Sequence, residues 1–268
     1  MNESLKQTIR RVVPAWILDP VIERHFRVRW GGNFSTWTDA RAASRGYDAA
    51  DILERVVGAT RRVREGEAAY ERDGVAFGRP TPDRLVVETL TRAARCKGGP
   101  VSVLDFGGSL GSVYWQNRRA WDADVVRRWC VVEQPHFVAA GKREFENEQL
   151  AFFSTVEDVW AMERPDVLLL SGVLQYLEAP HVRLEELLRK SFRTVAILRM
   201  GFVEGSVDRL TVQKVPRSIY GGSYPCWFFS RERMLAHFGG YTLAAEVAGD
   251  EGACDGVEFK HLVWERTP

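Results

Sequence analysis

A carboxylate at the end of an apolar run, followed at once by a glycine-dense turn, is the arrangement in this chain best suited to chemistry. Val101-Ser102-Val103-Leu104 reads as a buried strand, Asp105 closes it, and Phe106-Gly107-Gly108-Ser109-Leu110-Gly111-Ser112 turns into a helix. A strand feeding such a turn brings the backbone close to a nucleotide, and glycine supplies the positive φ and the close approach this needs. A dinucleotide fingerprint requires G-x-G-x-x-G, with the helix start aimed at a pyrophosphate. Read from Gly107, the chain offers G-G-S-L-G-S, with Ser109 and Ser112 at the second and third glycine positions. What stands there is D-x-G-x-S-x-G. A carboxylate beside a pyrophosphate repels it, whereas one beside a ligand carrying a sulfonium and an ammonium group attracts it.

Other residues fall where the same ligand would need them. Glu133 ends a second apolar run about twenty residues after Gly111, where an acid takes both ribose hydroxyls, and Gln134 follows it. Ser154 follows a third run at the adenine position, although a plain helix cap explains it equally well. Ser171-Gly172 end the fourth run and lead into Val173-Leu174-Gln175-Tyr176. That turn faces the amino-acid half of the ligand and whatever receives a group from it. Tyr176 is a candidate for acceptor binding or for the base, with helix-start packing as the equal alternative. His136 is a second candidate base, against a surface histidine at a helix start. The long insert Arg199–Phe229 holds Tyr220, Tyr224 and Trp227, and long ordered insertions at such an edge are usually functional. Arg199, Tyr220, Tyr224 and Trp227 are therefore expected to wall the acceptor pocket. The five histidines show no ligand spacing, so no metal is expected.

The elements that must position these groups alternate in type. From Val101 onward, buried strands at 101–104, 128–132, 150–153, 167–170 and 194–198 are separated by helical segments, which implies parallel β-α-β units. Ser230 caps a helix over 231–238, stopped by Gly239-Gly240. Segments 241–247 and 257–265 are strands joined without a helix, which is a hairpin. Residues 1–80 lack this rhythm and read as a helical lobe, with a boundary near Pro80-Thr81-Pro82 and an α/β domain over 81–268.

The whole chain has 268 residues, 45% hydrophobic and 27% charged, with a net charge of +1. No basic footprint of a nucleic-acid binder is present, and no apolar run approaches a membrane span. The N-terminus lacks a signal-peptide core, and the four cysteines are far apart, so reduced thiols in the cytoplasm are expected. The basic N-terminal arm, with Lys6, Arg10, Arg11, Arg24, Arg27 and Arg29, reads as a packed amphipathic helix or a weak membrane contact.

D-x-G-x-S-x-G resembles the D/E-x-G-x-G-x-G pattern of S-adenosylmethionine-dependent methyltransferases, with Ser109 at the middle glycine. A parallel sheet closed by a hairpin is similar to the class I methyltransferase sheet, a Rossmann-like, seven-stranded mixed sheet in the order 3-2-1-4-5-7-6. The phrases LDFGGSLGSVYWQNR, VVEQPHFVAAGKREFENEQL, SGVLQYLEAP and SYPCWFFS, with GYDAADILERVV and YERDGVAF upstream, resemble methyltransferases found in bacterial surface-polysaccharide gene clusters. The resemblance runs from about Trp30 to the end. It implies S-adenosylmethionine as cofactor, held by Asp105, Gly107, Gly108, Ser109, Gly111, Glu133, Gln134, Ser154, Ser171 and Gly172, and a small-molecule, sugar or glycan acceptor. It carries over no established base. The competing class is a Rossmann-like protein that keeps the ligand fold without this reaction.

Overall fold

The computed structural model describes residues 28–46, 49–78, 83–217, 219, 221–249, 254 and 256–267. In chain order the first elements are β1 (Arg29–Phe34), α1 (Trp37–Ala42), α2 (Ala49–Glu65), β2 (Tyr70–Arg72), β3 (Val75–Phe77) and α3 (Arg84–Lys97). The middle of the chain gives β4 (Val101–Phe106), α4 (Ser112–Asn117), β5 (Val126–Val132), α5 (Pro135–Glu144), β6 (Leu150–Phe153), α6 (Val156–Met162) and β7 (Val167–Ser171). A 3-10 turn at Leu174–Tyr176 leads to α7 (Pro180–Leu188), β8 (Thr194–Val203), β9 (Arg209–Val215), β10 (Gly222–Ser230), α8 (Arg231–Leu235), β11 (Tyr241–Ala248) and β12 (Val257–Arg266).

The sheet is built around β4. It pairs in parallel with β5 and β7, β5 with β6, and β7 with β8. Strands covered on both faces are apolar throughout, and side chains alternate between the two cores. Val101, Val103, Trp129, Val131, Val167 and Leu169 pack into one core, and Leu104, Cys130, Val132, Leu168 and Leu170 into the other. Helix α3 covers the first core with Val86, Leu90, Ala93 and Ala94, spaced along one helical stripe. Its start is capped by Asp83, which accepts from Val86 N, and it ends on a left-handed Gly98.

At the other edge, β12 runs antiparallel to β8 and pairs with β11. The hairpin read from the sequence is therefore present, and the spatial order of these seven strands is β6-β5-β4-β7-β8-β12-β11. Among the described residues the sheet has ten strands, however, not seven. The long insert after β8 folds as β9 and β10, an antiparallel pair, and β10 adds to the far end of β8. β1 pairs with β9, so the N-terminal stretch expected to be helical also supplies a sheet strand and the β2–β3 hairpin. The physical reason is that period-2 apolar spacing at Leu210 and Val212 buries one strand face, against Ala40 of α1. The boundary expected at Pro80-Thr81-Pro82 and the basic arm before Arg29 lie outside the described residues. Among the described residues, no helix is long and apolar enough to cross a membrane.

Candidate functional site

The carboxyl ends of β4, β5, β6 and β7 open into one cleft of about 1080 Å³. Its walls include Gly107, Gly108, Ser109, Glu133, Gln134, Ser154, Ser171, Gly172, Tyr176, Arg199 and Tyr224. Eleven residues singled out from sequence thus meet in one place. Tyr220 lies outside the described residues.

The glycine turn has left-handed backbone at Gly107, Ser109 and Gly111, with φ of 73°, 56° and 80°. Gly107 packs against Val173: a Cβ there would sit 2.3 Å from the valine side chain. Ser109 carries a left-handed conformation that glycine adopts at lower cost. Gly111 does not line the cleft; it leads into α4, and its carbonyl accepts from Trp115 N at 2.9 Å.

Asp105 is placed differently from the sequence expectation. It is completely buried, Trp129 Nε1 donates to its Oδ2 at 3.0 Å, and Oδ1 has no hydrogen-bond partner. A Cβ on Gly108 would lie 2.4 Å from this carboxyl, so the Gly108 backbone roofs it. Burial pushes its pKa up to about 7. Asp105 lies beneath the turn and outside the cleft lining.

Glu133 sits in the cleft wall just past β5, its Oε2 accepting from Gln134 N at 2.7 Å. Burial raises its pKa, opposed by hydrogen bonds from the Gln134 and Ser109 backbone. A carboxylate held by its own backbone at that edge presents its remaining lone pairs to a diol. Ser154 is not the cap of α6; Thr155 takes that role, accepting from Asp158 N at 3.1 Å, which leaves Ser154 in the cleft wall. His136 is half-buried in the first turn of α5, its ring 5.0 Å from that of Phe137, and does not line the cleft.

Of the two rings expected from sequence to meet an acceptor, Tyr224 lines the cleft and Trp227 does not. The Trp227 indole donates to Leu177 O at 3.1 Å and stacks on Trp37 at 6.5 Å, so it braces the wall from behind while Trp37 and Arg41 of α1 form the rim. Successive β10 residues point to opposite sides, which separates Tyr224 from Trp227. Tyr176 donates to Gln213 Oε1 at 2.9 Å, Trp30 Nε1 donates to the same oxygen at 3.0 Å, and Gln213 Nε2 donates to Tyr224 at 3.1 Å. Trp30, Gln213 and Tyr224 are direct cross-strand partners on β1, β9 and β10. Gln175 is buried and donates to Arg199 O at 3.2 Å.

Arg199 interrupts β8. Leu198 and Arg199 stand opposite the single residue His261, a β-bulge, and Arg199 has φ of 62°. A non-glycine residue held there costs about 1–3 kcal/mol. The bulge is fixed by the Arg199 backbone N donating to His261 Nδ1 at 3.2 Å and by Gln175.

Sequence reasoning missed Glu71, Asp73, Trp37 and Gln213. Asp73-Gly74 is a hairpin signal, with φ of 53° and 76°, and could have placed the first two. Among the described residues, no group of His, Cys, Asp and Glu is arranged to hold a metal ion.

No protein-family model matches the chain. No curated protein is significantly similar to it. Among solved structures, it is similar to 1,6-didemethyltoxoflavin-N1-methyltransferase of Burkholderia thailandensis at 14% identity, over 84% of this chain and 95% of that one, with a TM-score of 0.42. An amino pentose methyltransferase from Micromonospora echinaspora gives 12% identity over 70% and 92%, TM-score 0.44. Magnesium protoporphyrin IX methyltransferase of Synechocystis PCC 6803 gives 11% over 68% and 79%, TM-score 0.43. Likenesses this distant assign no activity to the chain.

Proposed function

We propose that this chain is an S-adenosylmethionine-dependent methyltransferase acting on a small-molecule or sugar acceptor without a metal. The observation that carries the reading is the shared cleft: the positive-φ glycine turn after β4, the Glu133 carboxylate after β5 and the Tyr176–Tyr224 pair open into one volume at the carboxyl edge of the sheet. Ligands of open α/β sheets bind at that edge. The donor set fits this cofactor: an acid for a ribose diol, and polar groups at Gln134 and Ser154 for a base.

S-adenosylmethionine bound there would supply an electrophilic methyl group. Glu133 accepts the ribose hydroxyls, Gln134 and Ser154 border the adenine, and Gly107, Gly108, Ser109, Ser171 and Gly172 shape the amino-acid end. Tyr176 and Tyr224 hydrogen-bond the acceptor, and Trp37 and Phe106 exclude water beside it. Alignment and desolvation are what such a transfer asks of the protein. The same cleft suits sugar acceptors, because apolar rings with hydroxyl groups at their edge match a sugar's apolar face and polar rim.

Calorimetry tests the reading. S-adenosylhomocysteine should bind the wild type, and Glu133→Ala should weaken it about ten-fold or more, since 1.4 kcal/mol is a factor of ten and a bond to a charged group is worth about 1.5–3 kcal/mol. Binding of NAD without binding of S-adenosylhomocysteine would overturn it.

A further inference from the structure

The sequence points to Asp105 as the acid for the cofactor's ammonium group, yet Asp105 is roofed by Gly108 and absent from the cleft wall. A different carboxylate occupies the wall. Glu71, on β2, is only 5% exposed and lines the cleft beside the glycine turn. Ser112, the first residue of α4, donates its hydroxyl to Glu71 Oε2, and Gly74 N donates to Oε1 at 2.7 Å. These two contacts fix the carboxyl without exhausting it, since a carboxylate offers about four acceptor positions.

A guanidinium closes the other side. The Arg199 side chain lies against Gly172, where a Cβ would be 3.5 Å from its Cζ. Asp73, at the tip of the β2–β3 hairpin, reaches Arg199 Nη2 at 3.5 Å. The hairpin therefore spans the cleft mouth from the glycine turn, through Glu71–Ser112, to the carboxyl end of β7, through Asp73–Arg199. The acid and the guanidinium are both fixed by backbone: Glu71 by Gly74, and Arg199 by the bulge opposite His261. A carboxyl group and a guanidinium at the two ends of a strap match the ammonium and the carboxylate of a zwitterionic α-amino acid. Arg presents five donors in a fork that suits a carboxylate.

We propose that the β2–β3 hairpin reads the amino-acid tail of the cofactor, Glu71 accepting from its α-ammonium and Arg199 donating to its α-carboxylate. This rests on the cofactor reading given above, and it moves Arg199 from the acceptor wall to the cofactor. Asp73 orients Arg199 across the mouth, so the strap and the ligand tail are ordered together.

The test is calorimetry with two ligands that differ only in the tail: S-adenosylhomocysteine, and 5′-methylthioadenosine, which keeps the adenosine and thioether and lacks the amino acid. Glu71→Gln retains the shape and the oxygen that accepts from Gly74, and Arg199→Gln removes the fork. Each should weaken S-adenosylhomocysteine by roughly ten-fold or more, the loss expected for one charge-assisted contact, and leave 5′-methylthioadenosine within about two-fold. Equal losses for both ligands would overturn the assignment, because they would report damage to the cleft as a whole. Unchanged affinity for S-adenosylhomocysteine would overturn it as well. If the wild type binds neither ligand, the cofactor reading itself falls, an outcome that the tail variants do not produce.

Discussion

Asp105 shows how one residue type at one position can change its meaning between sequence and structure. Its place at a strand end before glycines signals a ligand-facing acid, whereas the backbone of Gly108 seals it below the turn with one oxygen unpartnered. The cause of its raised pKa is desolvation, which Trp129 only partly offsets. Glu71 is raised to about 7 for the same first cause, with Ser112 and Gly74 opposing. Well below pH 3.8, the ordinary value for Asp, both folded and unfolded chains hold these protons. As pH rises toward 7 the unfolded chain releases them and the folded chain keeps them, so stability falls through that window and levels off above it. Asp105's share is on the order of 4 kcal/mol at most, from a rise to about 7 at about 1.4 kcal/mol per pH unit. Asp105→Asn keeps an oxygen for Trp129 and removes the titration. Urea denaturation at pH 5 and pH 8 should show a larger loss for the wild type than for the variant. Parallel losses in the two proteins would mean that Asp105 ionises in the folded state as it does in water.

At the scale of elements, the three strands outside the seven-strand order back the part of the cleft wall that carries Tyr224. Trp30, Gln213 and Tyr224 form one row across β1, β9 and β10, and Tyr176 joins it from the turn after β7. Gln213 sets the row's polarity: its oxygen accepts from Trp30 and Tyr176, and its amide donates to Tyr224. Gln213→Leu should therefore cost about 1–3 kcal/mol through buried polar groups left without this partner. A double-mutant cycle with Tyr176→Phe should give a coupling of at least 0.5 kcal/mol in chemical denaturation. Additive losses would show that the two side chains do not act together. The β-α-β half of the fold was legible because parallel strands buried on both faces appear as unbroken apolar runs, as in Val167-Leu168-Leu169-Leu170. The β9–β10 pair was not read, although Leu210 and Val212 alternate with Thr211 and Gln213, because alternating apolar and polar residues give only a weaker period-2 signal even where, as here, all four are buried. The Arg199 bulge was invisible for a different reason: it arises from register with β12, more than fifty residues away, and nothing local announces it. Glu133, Ser171 and Gly172 reach the cleft because a doubly wound sheet opens at its strand ends, while Trp227 does not, because strand alternation puts it behind the wall that Tyr224 faces.

Across the whole molecule, the cleft joins parts of the chain that share little else. Trp37 and Arg41 come from α1, Glu71 and Asp73 from the β2–β3 hairpin, the glycine turn and Glu133 from the parallel strands, and Tyr224 from β10. A ligand that touches all of them binds the folded state and not the unfolded chain, so it must stabilise the fold by mass action. At one hundred times its Kd that gain is about 2.7 kcal/mol. For a chain somewhat above 250 residues, each kcal/mol raises Tm by roughly 2–4 °C, so S-adenosylhomocysteine should raise it by about 5 °C or more. The described residues hold no cluster of metal ligands, and the proposed contacts are carboxylate, guanidinium, hydroxyl and backbone groups. The shift should accordingly persist at full size in excess EDTA. A shift that vanishes with EDTA and returns with a divalent ion would place a metal between the ligand and carboxylates such as Glu71 and Glu133. The contact chemistry assigned to both would then be wrong, because a cation would already neutralise the acids that the ribose and the ammonium are said to meet.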